Sequence, residues 1–172
     1  MMLVGAANAG DLLVYSSTDA DNLKYYMDNF QKDNPDIKVK VVRESTGTMA
    51  AKMMAEKDNP QADVLFEMAA TVALNMETQG MFHPYTPKGM DKIDQRYVDK
   101  EGEVNWVGNY GWAGCICWNT VEAKKLGLPK PKSWADLTNP VYKGLISMPN
   151  PNSSGTGFLD VSSWIQIMGE DA

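Results

Sequence analysis

One pattern occurs three times between Asp11 and Gly80: a short apolar run, a polar loop, and a helix-period segment. Leu12-Leu13-Val14-Tyr15 reads as a buried strand. Ser16-Ser17-Thr18 follows, then a helix with Leu23, Tyr26, Met27 and Phe30 on one face. Thr18 with Asp21 makes a capping-box-like start, and Asn34-Pro35 ends the helix. The second unit runs from the alternating strand Ile37–Val42 through Ser45-Thr46-Gly47 into a helix stopped at Asn59-Pro60. That helix turns Met49, Met53 and Met54 inward. In the third, Ala62–Phe66 is the strand and the loop begins at Glu67. A helix with Val72 and Met76 follows and stops at Gly80.

Strands alternating with helices at this spacing predict an α/β fold with a parallel sheet flanked by helices and right-handed crossovers. All three loops then leave the carboxyl ends of the strands, where helix starts present unpaired N–H groups. One hydroxyl there is an ordinary cap. Three such loops in register predict a polar rim that suits an anion without Lys or Arg. The methionines, 12 in the chain, are read as core filler.

Periodicity fades over residues 80–105. His83 lies in a turn-rich stretch between Phe82 and Pro84, where a structural or surface role is expected, and 91–103 is charged and solvated. Tyr110–Asn119 reads as one long strand able to carry the chain from one lobe to another. Cys115 and Cys117 would share a face of it as buried free thiols, too close in sequence for an easy mutual disulfide. A short helix over 120–127, the rigid spacer Pro129-Lys130-Pro131, a helix start at Ser133–Asp136 and a strand at Gly144–Met148 follow. Ser153-Ser154-Gly155-Thr156-Gly157 again joins a strand to a helix start, with glycines that let backbone N–H groups approach a ligand. It is neither a Walker loop nor a dinucleotide fingerprint. The helix after it carries Phe158, Val161, Trp164, Ile165 and Met168 on its predicted inner face.

Composition narrows the function classes. With 16 Lys+Arg against 22 Asp+Glu, the net charge is −6, which argues against a nucleic-acid partner. A single histidine and two cysteines exclude the histidine-rich and four-cysteine metal motifs. An enzyme, such as a phosphonate hydrolase, would need a placed nucleophile and base, and none is evident. No apolar run approaches the roughly 20 residues of a membrane span. The opening Met1–Gly10, with Ala7-Asn8-Ala9 as a small-x-small site, reads as the stub of a signal peptide, placing the mature chain outside the cytoplasm.

With these residues in view, the chain resembles the extracytoplasmic solute-binding proteins of ABC importers, in the branch of ferric-ion and 2-aminoethylphosphonate binders. The resemblance runs from about Asp11 to the last residue. It is most specific over Lys132–Met148 and the following Ser153–Gly157; Val14-Tyr15-Ser16-Ser17, Ala62-Asp63-Val64 and Trp118-Asn119 also match. It implies a type II periplasmic-binding-protein fold, with two hinged α/β lobes and a ligand trapped between them. Lobe one would span 11–112, and 113–172 would hold the crossover strand and the first part of lobe two. Family members usually run to around twice this length, so the chain reads as truncated, and its uncovered apolar helix face predicts either self-association or a poorly packed 113–172.

The resemblance implies no catalysis, no cofactor, a permease as partner, and a periplasmic or otherwise secreted location. It places the ligand against Ser16, Ser17, Thr18, Ser45, Thr46, Gly47, Glu67, Asn119, Ser153, Ser154, Gly155 and Thr156. Ferric binders of the family often have a histidine in the first loop and use a tyrosine pair from the second half; here the first loop has no histidine. Hydroxyls and N–H groups donate to an oxyanion, whereas Fe(III) needs oxygens that give up charge. Glu67 would accept from an ammonium group, or serve as a metal carboxylate in the ferric alternative. The expected ligand is therefore 2-aminoethylphosphonate, with ferric ion second.

Overall fold

The structure, a computed structural model, describes residues 10–100 and 103–170. The signal-peptide reading falls on residues 1–9, outside the described residues. The chain divides into two compact units, with the break after Gly111.

The first unit is built on β1 (Asp11–Ser16), α1 (Ala20–Asp33), β2 (Lys38–Arg43), α2 (Thr46–Ala55), β3 (Val64–Phe66) and α3 (Ala70–Glu77). The strands form a three-stranded sheet in the order β2-β1-β3, with both pairings parallel. Parallel neighbours need crossovers, and α1 and α2 supply them, as the repeated pattern predicts. The register sets Ser16 opposite Arg43 on one side and Phe66 on the other. All three strands therefore end at the same edge.

The core gathers Val14, Tyr15, Leu23, Met49, Ala73 and Met76. Met49 is fully buried and Met54 is 38% exposed. Five residues at about 100° each carry Met54 well round the helix from Met49, so the inward triplet predicted from sequence shrinks to Met49 with a half-buried Met53. The Tyr15 hydroxyl donates to Glu56 at 3.0 Å, and Lys52 pairs with Glu56 while lying over the Tyr15 ring. After α3 the chain runs through two single turns of 3₁₀ helix, Met90–Lys92 and Gln95–Tyr97. An antiparallel bridge, Val98 to Val107, then closes a loop whose Val98 and Asp99 are buried. The solvated stretch predicted for 91–103 thus has a buried centre. Asn105 and Trp106 both donate to Glu77, at 2.8 and 3.2 Å, tying this loop to the end of α3.

The second unit contains α4 (Thr120–Leu126), 3₁₀ turns at Ala135–Thr138 and Pro140–Tyr142, and α5 (Gly155–Met168). Gly127 ends α4 in the left-handed conformation, as its position predicts. Ser133 and Asp136 cap the next turn reciprocally: the Asp136 carboxylate accepts the Ser133 N–H at 3.1 Å, and Ser133 Oγ accepts the Asp136 N–H at 3.3 Å. Aromatic edges hold the unit together. Trp118 meets Tyr142, whose hydroxyl donates to the Pro129 carbonyl at 2.6 Å, and Trp134 meets Trp164.

Five expectations are corrected by the structure. Tyr110–Asn119 and Gly144–Met148 are not strands. A strand exists only as half of a ladder, and among the described residues neither segment has a strand beside it. Burial does alternate along 113–119, but Cys115 and Cys117 lie on the exposed side while Gly114, Ile116 and Trp118 are half-buried. The N-cap of α1 is Asp19, without a side-chain bond, and not Thr18. In α5 the residues turned inward are Gly157 and Asp160, with Val161 and Trp164 of the expected face half-buried; Phe158, Ile165 and Met168 are 43–50% exposed. The helix is rotated from its most apolar face because Gly157 lets it press directly onto the loop before it. A Cβ at Gly157 would stand 2.4 Å from the Pro149 carbonyl oxygen.

Candidate functional site

The sheet edge where β1, β2 and β3 end carries the candidate site of the first unit. Ser16 and Thr18 are buried and hold each other, Ser16 Oγ accepting the Thr18 N–H at 3.2 Å. They shape the first loop and leave Ser17 between them as its half-buried hydroxyl. Ser17 donates from its N–H at 3.3 Å and from its Oγ at 2.9 Å to the Glu67 carbonyl oxygen. Glu67 is at φ 56°, the only non-glycine residue at positive φ among the described residues. Its carboxylate accepts from Asn109 Nδ2 at 2.7 Å. Burial pushes the Glu67 carboxyl above its ordinary range, and the Asn109 bond opposes that shift.

The second loop starts α2. Ser45 stands at the N-cap in extended conformation, but its hydroxyl faces Thr48 Oγ1 at 3.0 Å and caps no backbone N–H. Thr46 and Gly47 form the first turn, and that turn holds no acidic residue. The positive end of the helix is therefore not neutralised from within. Arg43, the last residue of β2, reaches across to the first loop: its Nε donates to the Thr18 carbonyl at 2.5 Å, and its guanidinium is 3.9 Å from Asp19.

In the second unit, Asn119 is the N-cap of α4; its Oδ1 accepts from the N–H groups of Val121 and Glu122. Ser154 is the N-cap of α5 and accepts the Gly157 N–H at 3.3 Å. Ser153 and Ser154 both donate backbone N–H groups to the Asn150 carbonyl. Gly155 and Thr156 open the helix, where first-turn N–H groups have no acceptor within the helix itself. The first turn of α5 is also free of carboxylates. Gly157 departs from its expected role: its missing side chain admits the backbone of Pro149–Pro151 rather than a ligand.

Two contributors escape a reading of local pattern. Arg43 is visible only as the end of a strand, and Asn109 meets Glu67 from 42 positions away in an aperiodic stretch. Asn109 also lines an open cavity of about 500 Å³, together with Lys92, Asp94, Tyr97 and Tyr110. His83 is exposed, with Nδ1 3.2 Å from the Pro84 carbonyl oxygen. Among the described residues, no three His, Cys, Asp or Glu side chains gather as a metal cage would need. No helix among them is long and apolar enough to cross a membrane.

In the first unit, the hydroxyl loops and the carboxylate-free start of α2 share one sheet edge with the Glu67 carboxylate, an arrangement that suits a small solute with an anionic end and a hydrogen-donating end. Comparison with known proteins shows the family. The family of bacterial extracellular solute-binding proteins matches residues 16–172. This chain belongs to that family.

An uncharacterised protein of Haemophilus influenzae is 32% identical over 96% of this chain and 49% of its own length. A probable ABC transporter periplasmic-binding protein of Sinorhizobium fredii is 31% identical over 62% of this chain and 28% of its own. Among solved structures, the periplasmic binding protein AfuA from Actinobacillus pleuropneumoniae, with exogenous fructose-6-phosphate bound, is 32% identical with a TM-score of 0.78. That likeness covers 94% of this chain and 51% of AfuA. The periplasmic binding protein P5PA is 26% identical with a TM-score of 0.76, over 94% of this chain and 52% of its own. Iron-bound HitA from Pseudomonas aeruginosa shares the fold, with a TM-score of 0.69 at 21% identity, over 94% of this chain and 50% of its own. The chain thus spans about half the length of the Haemophilus relative and of these structures.

Proposed function

We propose that the chain is part of the solute-binding component of an ABC importer. It works outside the cytoplasm, captures a small organic phosphonate or phosphate monoester, and hands it unchanged to a permease. The family match and the Sinorhizobium relative support the transport role. The ligand class rests on one observation: the parallel order β2-β1-β3 brings the carboxylate-free start of α2 and the carboxylate of Glu67 to one sheet edge.

Thr46 and the N–H groups of the first turn of α2 donate to the anion, and Ser17 and Ser45 add hydroxyls at the rim. Arg43 adds positive potential. Ser16 and Thr18 act by shaping the loop. Ser154, Gly155 and Thr156 form the corresponding oxyanion donors of the second unit, with Ser153 and Asn119 beside helix starts as supporting residues. Glu67 accepts from the other end of the solute. In 2-aminoethylphosphonate that end is an ammonium, which makes this compound the first candidate. A hexose phosphate is the second, favoured by the fructose-6-phosphate in AfuA; sugar hydroxyls would then donate to Glu67. Ferric ion ranks behind both, since likeness to HitA concerns the fold alone.

Calorimetric titration with 2-aminoethylphosphonate, fructose-6-phosphate, inorganic phosphate and ferric citrate tests the reading. Saturable binding of an organic phosphonate or phosphate, weakened about tenfold or more by Thr46→Ala, is the expected result. Binding of ferric citrate alone would overturn it. Release of inorganic phosphate, followed by phosphorus NMR, would replace transport with catalysis.

A further inference from the structure

Glu67 is fixed at two points by two different parts of the chain. Its carbonyl takes both donors of Ser17, and its carboxylate takes the amide of Asn109. The backbone bonds hold a left-handed conformation that an L-residue seldom adopts unaided. The amide bond selects a side-chain position for a carboxylate that would otherwise sample several rotamers. Asn109 belongs to no helix or strand, and lies two residues before the first unit ends at Gly111. Its own neighbour Gly108 donates an N–H to the Tyr97 carbonyl at 2.6 Å, and a Cβ at Gly108 would stand 2.9 Å from Tyr97 Cβ. Close backbone contact thus anchors the segment that presents Asn109.

We propose that Asn109 is a positioning residue of the candidate site, fixing the Glu67 carboxylate as the acceptor for the ammonium or hydroxyl end of the solute. This role rests on the reading of Glu67 given under the proposed function. An amide is suited to it: it donates to the carboxylate without adding a charge that would compete with a cationic ligand group. A lysine or arginine there would pair with Glu67 and displace the solute's ammonium. Burial discourages the ionised carboxylate, and the Asn109 bond favours it, so the amide also keeps the acceptor able to accept.

Two measurements on the 172-residue chain separate this role from the ligand assignment. In the first, glutamate side-chain carboxyls are labelled with carbon-13 and titrated by NMR without ligand, the Glu67 signal being the one missing in Glu67→Gln. Asn109→Ala should move the Glu67 midpoint upward. Asn109→Asp, which keeps the shape but loses the donor, should move it the same way and serves if the alanine variant folds poorly. An unchanged midpoint in a folded variant overturns the proposal whatever the ligand is. In the second, 2-aminoethylphosphonate and fructose-6-phosphate are titrated into a double-mutant cycle. Asn109→Ala should weaken binding about tenfold. The double variant Asn109→Ala/Glu67→Gln should bind within about twofold of Glu67→Gln alone, because the amide acts through the carboxylate. Additive losses would overturn the positioning role and leave Glu67 in place. Wild-type affinity in Glu67→Gln would overturn both.

Discussion

Ser17 donates twice to the carbonyl oxygen of Glu67, from its N–H at 3.3 Å and from its hydroxyl at 2.9 Å, across 50 positions of sequence. The two residues directly follow the neighbouring strands β1 and β3, and the paired donation holds Glu67 at φ 56°. A non-glycine residue in that region costs of order 1–3 kcal/mol. Ser17 therefore stabilises the bend from which the Glu67 carboxylate projects.

Ser17→Ala keeps the backbone donor and loses the hydroxyl. Stability should fall by about 0.5–1.5 kcal/mol, the usual net worth of one hydrogen bond. Glu67→Gly should recover much of that in the Ser17→Ala background, because glycine meets no left-handed penalty. Urea denaturation of the three variants measures both effects. Equal losses in Ser17→Ala and the double variant would mean that the bend is not strained.

The raised Glu67 carboxyl has a sign that stability can report. The folded state holds this proton more tightly than the unfolded chain, whose carboxyl titrates near the ordinary 4.5. The resulting stabilisation is complete below that value and is lost as pH rises through the folded value. Glu67→Gln cannot ionise, so it should gain stability relative to wild type across that window and hold the gain at pH 7. Asp11, Asp94 and Asp136, each held low by hydrogen bonds or nearby cations, behave oppositely and lose their contribution as pH falls. They are common to both proteins and cancel. Denaturation curves at pH 4 and pH 7 give the difference; a pH-independent gap between wild type and Glu67→Gln would contradict the burial of this carboxylate.

Gly157 is required by packing. A methyl there would lie 2.4 Å from the Pro149 carbonyl oxygen and 3.0 Å from the Pro151 nitrogen, both backbone atoms that cannot swing aside. Gly157→Ala should destabilise the chain by about 1–3 kcal/mol, as overpacking does, despite the better helix propensity of alanine. Thermal unfolding of the variant provides the check, and a raised Tm would show that the loop over 149–151 yields freely.

Ser154 combines a cap with a proposed anion donor, and two substitutions pull the roles apart. Ser154→Ala removes the acceptor for the Gly157 N–H and should cost about 0.5–2 kcal/mol of stability. Ser154→Asp caps about as well as serine and places a negative charge at the proposed anion-donor start of α5. It should therefore unfold like wild type yet lose affinity for 2-aminoethylphosphonate and fructose-6-phosphate. Wild-type affinity in Ser154→Asp would reduce Ser154 to a cap.

The three strand–loop–helix units were legible because their signals are local. Apolar runs of strand length, a 3.6-residue period, and the stop at Asn34-Pro35 each act within a few residues, while α2 ends at Ala55, short of the expected Asn59-Pro60; the parallel order with shared loop ends follows from chain geometry. The same locality explains Gly127 as the end of α4, whereas α5 starts at Gly155, inside the stretch read as loop. Tertiary contact decided the rest. The left-handed bend at Glu67, its amide partner Asn109 and the reach of Arg43 to the Thr18 carbonyl all join residues 25 to 50 positions apart. The alternation at 113–119 fixed that Cys115 and Cys117 share a side, but only packing chose the exposed one. The helical period gave α5 an apolar stripe, yet Gly157 turned a different face inward by admitting the backbone of 149–151. Periodicity specifies which residues lie together on an element; which face is buried depends on surfaces that only the folded chain brings against it.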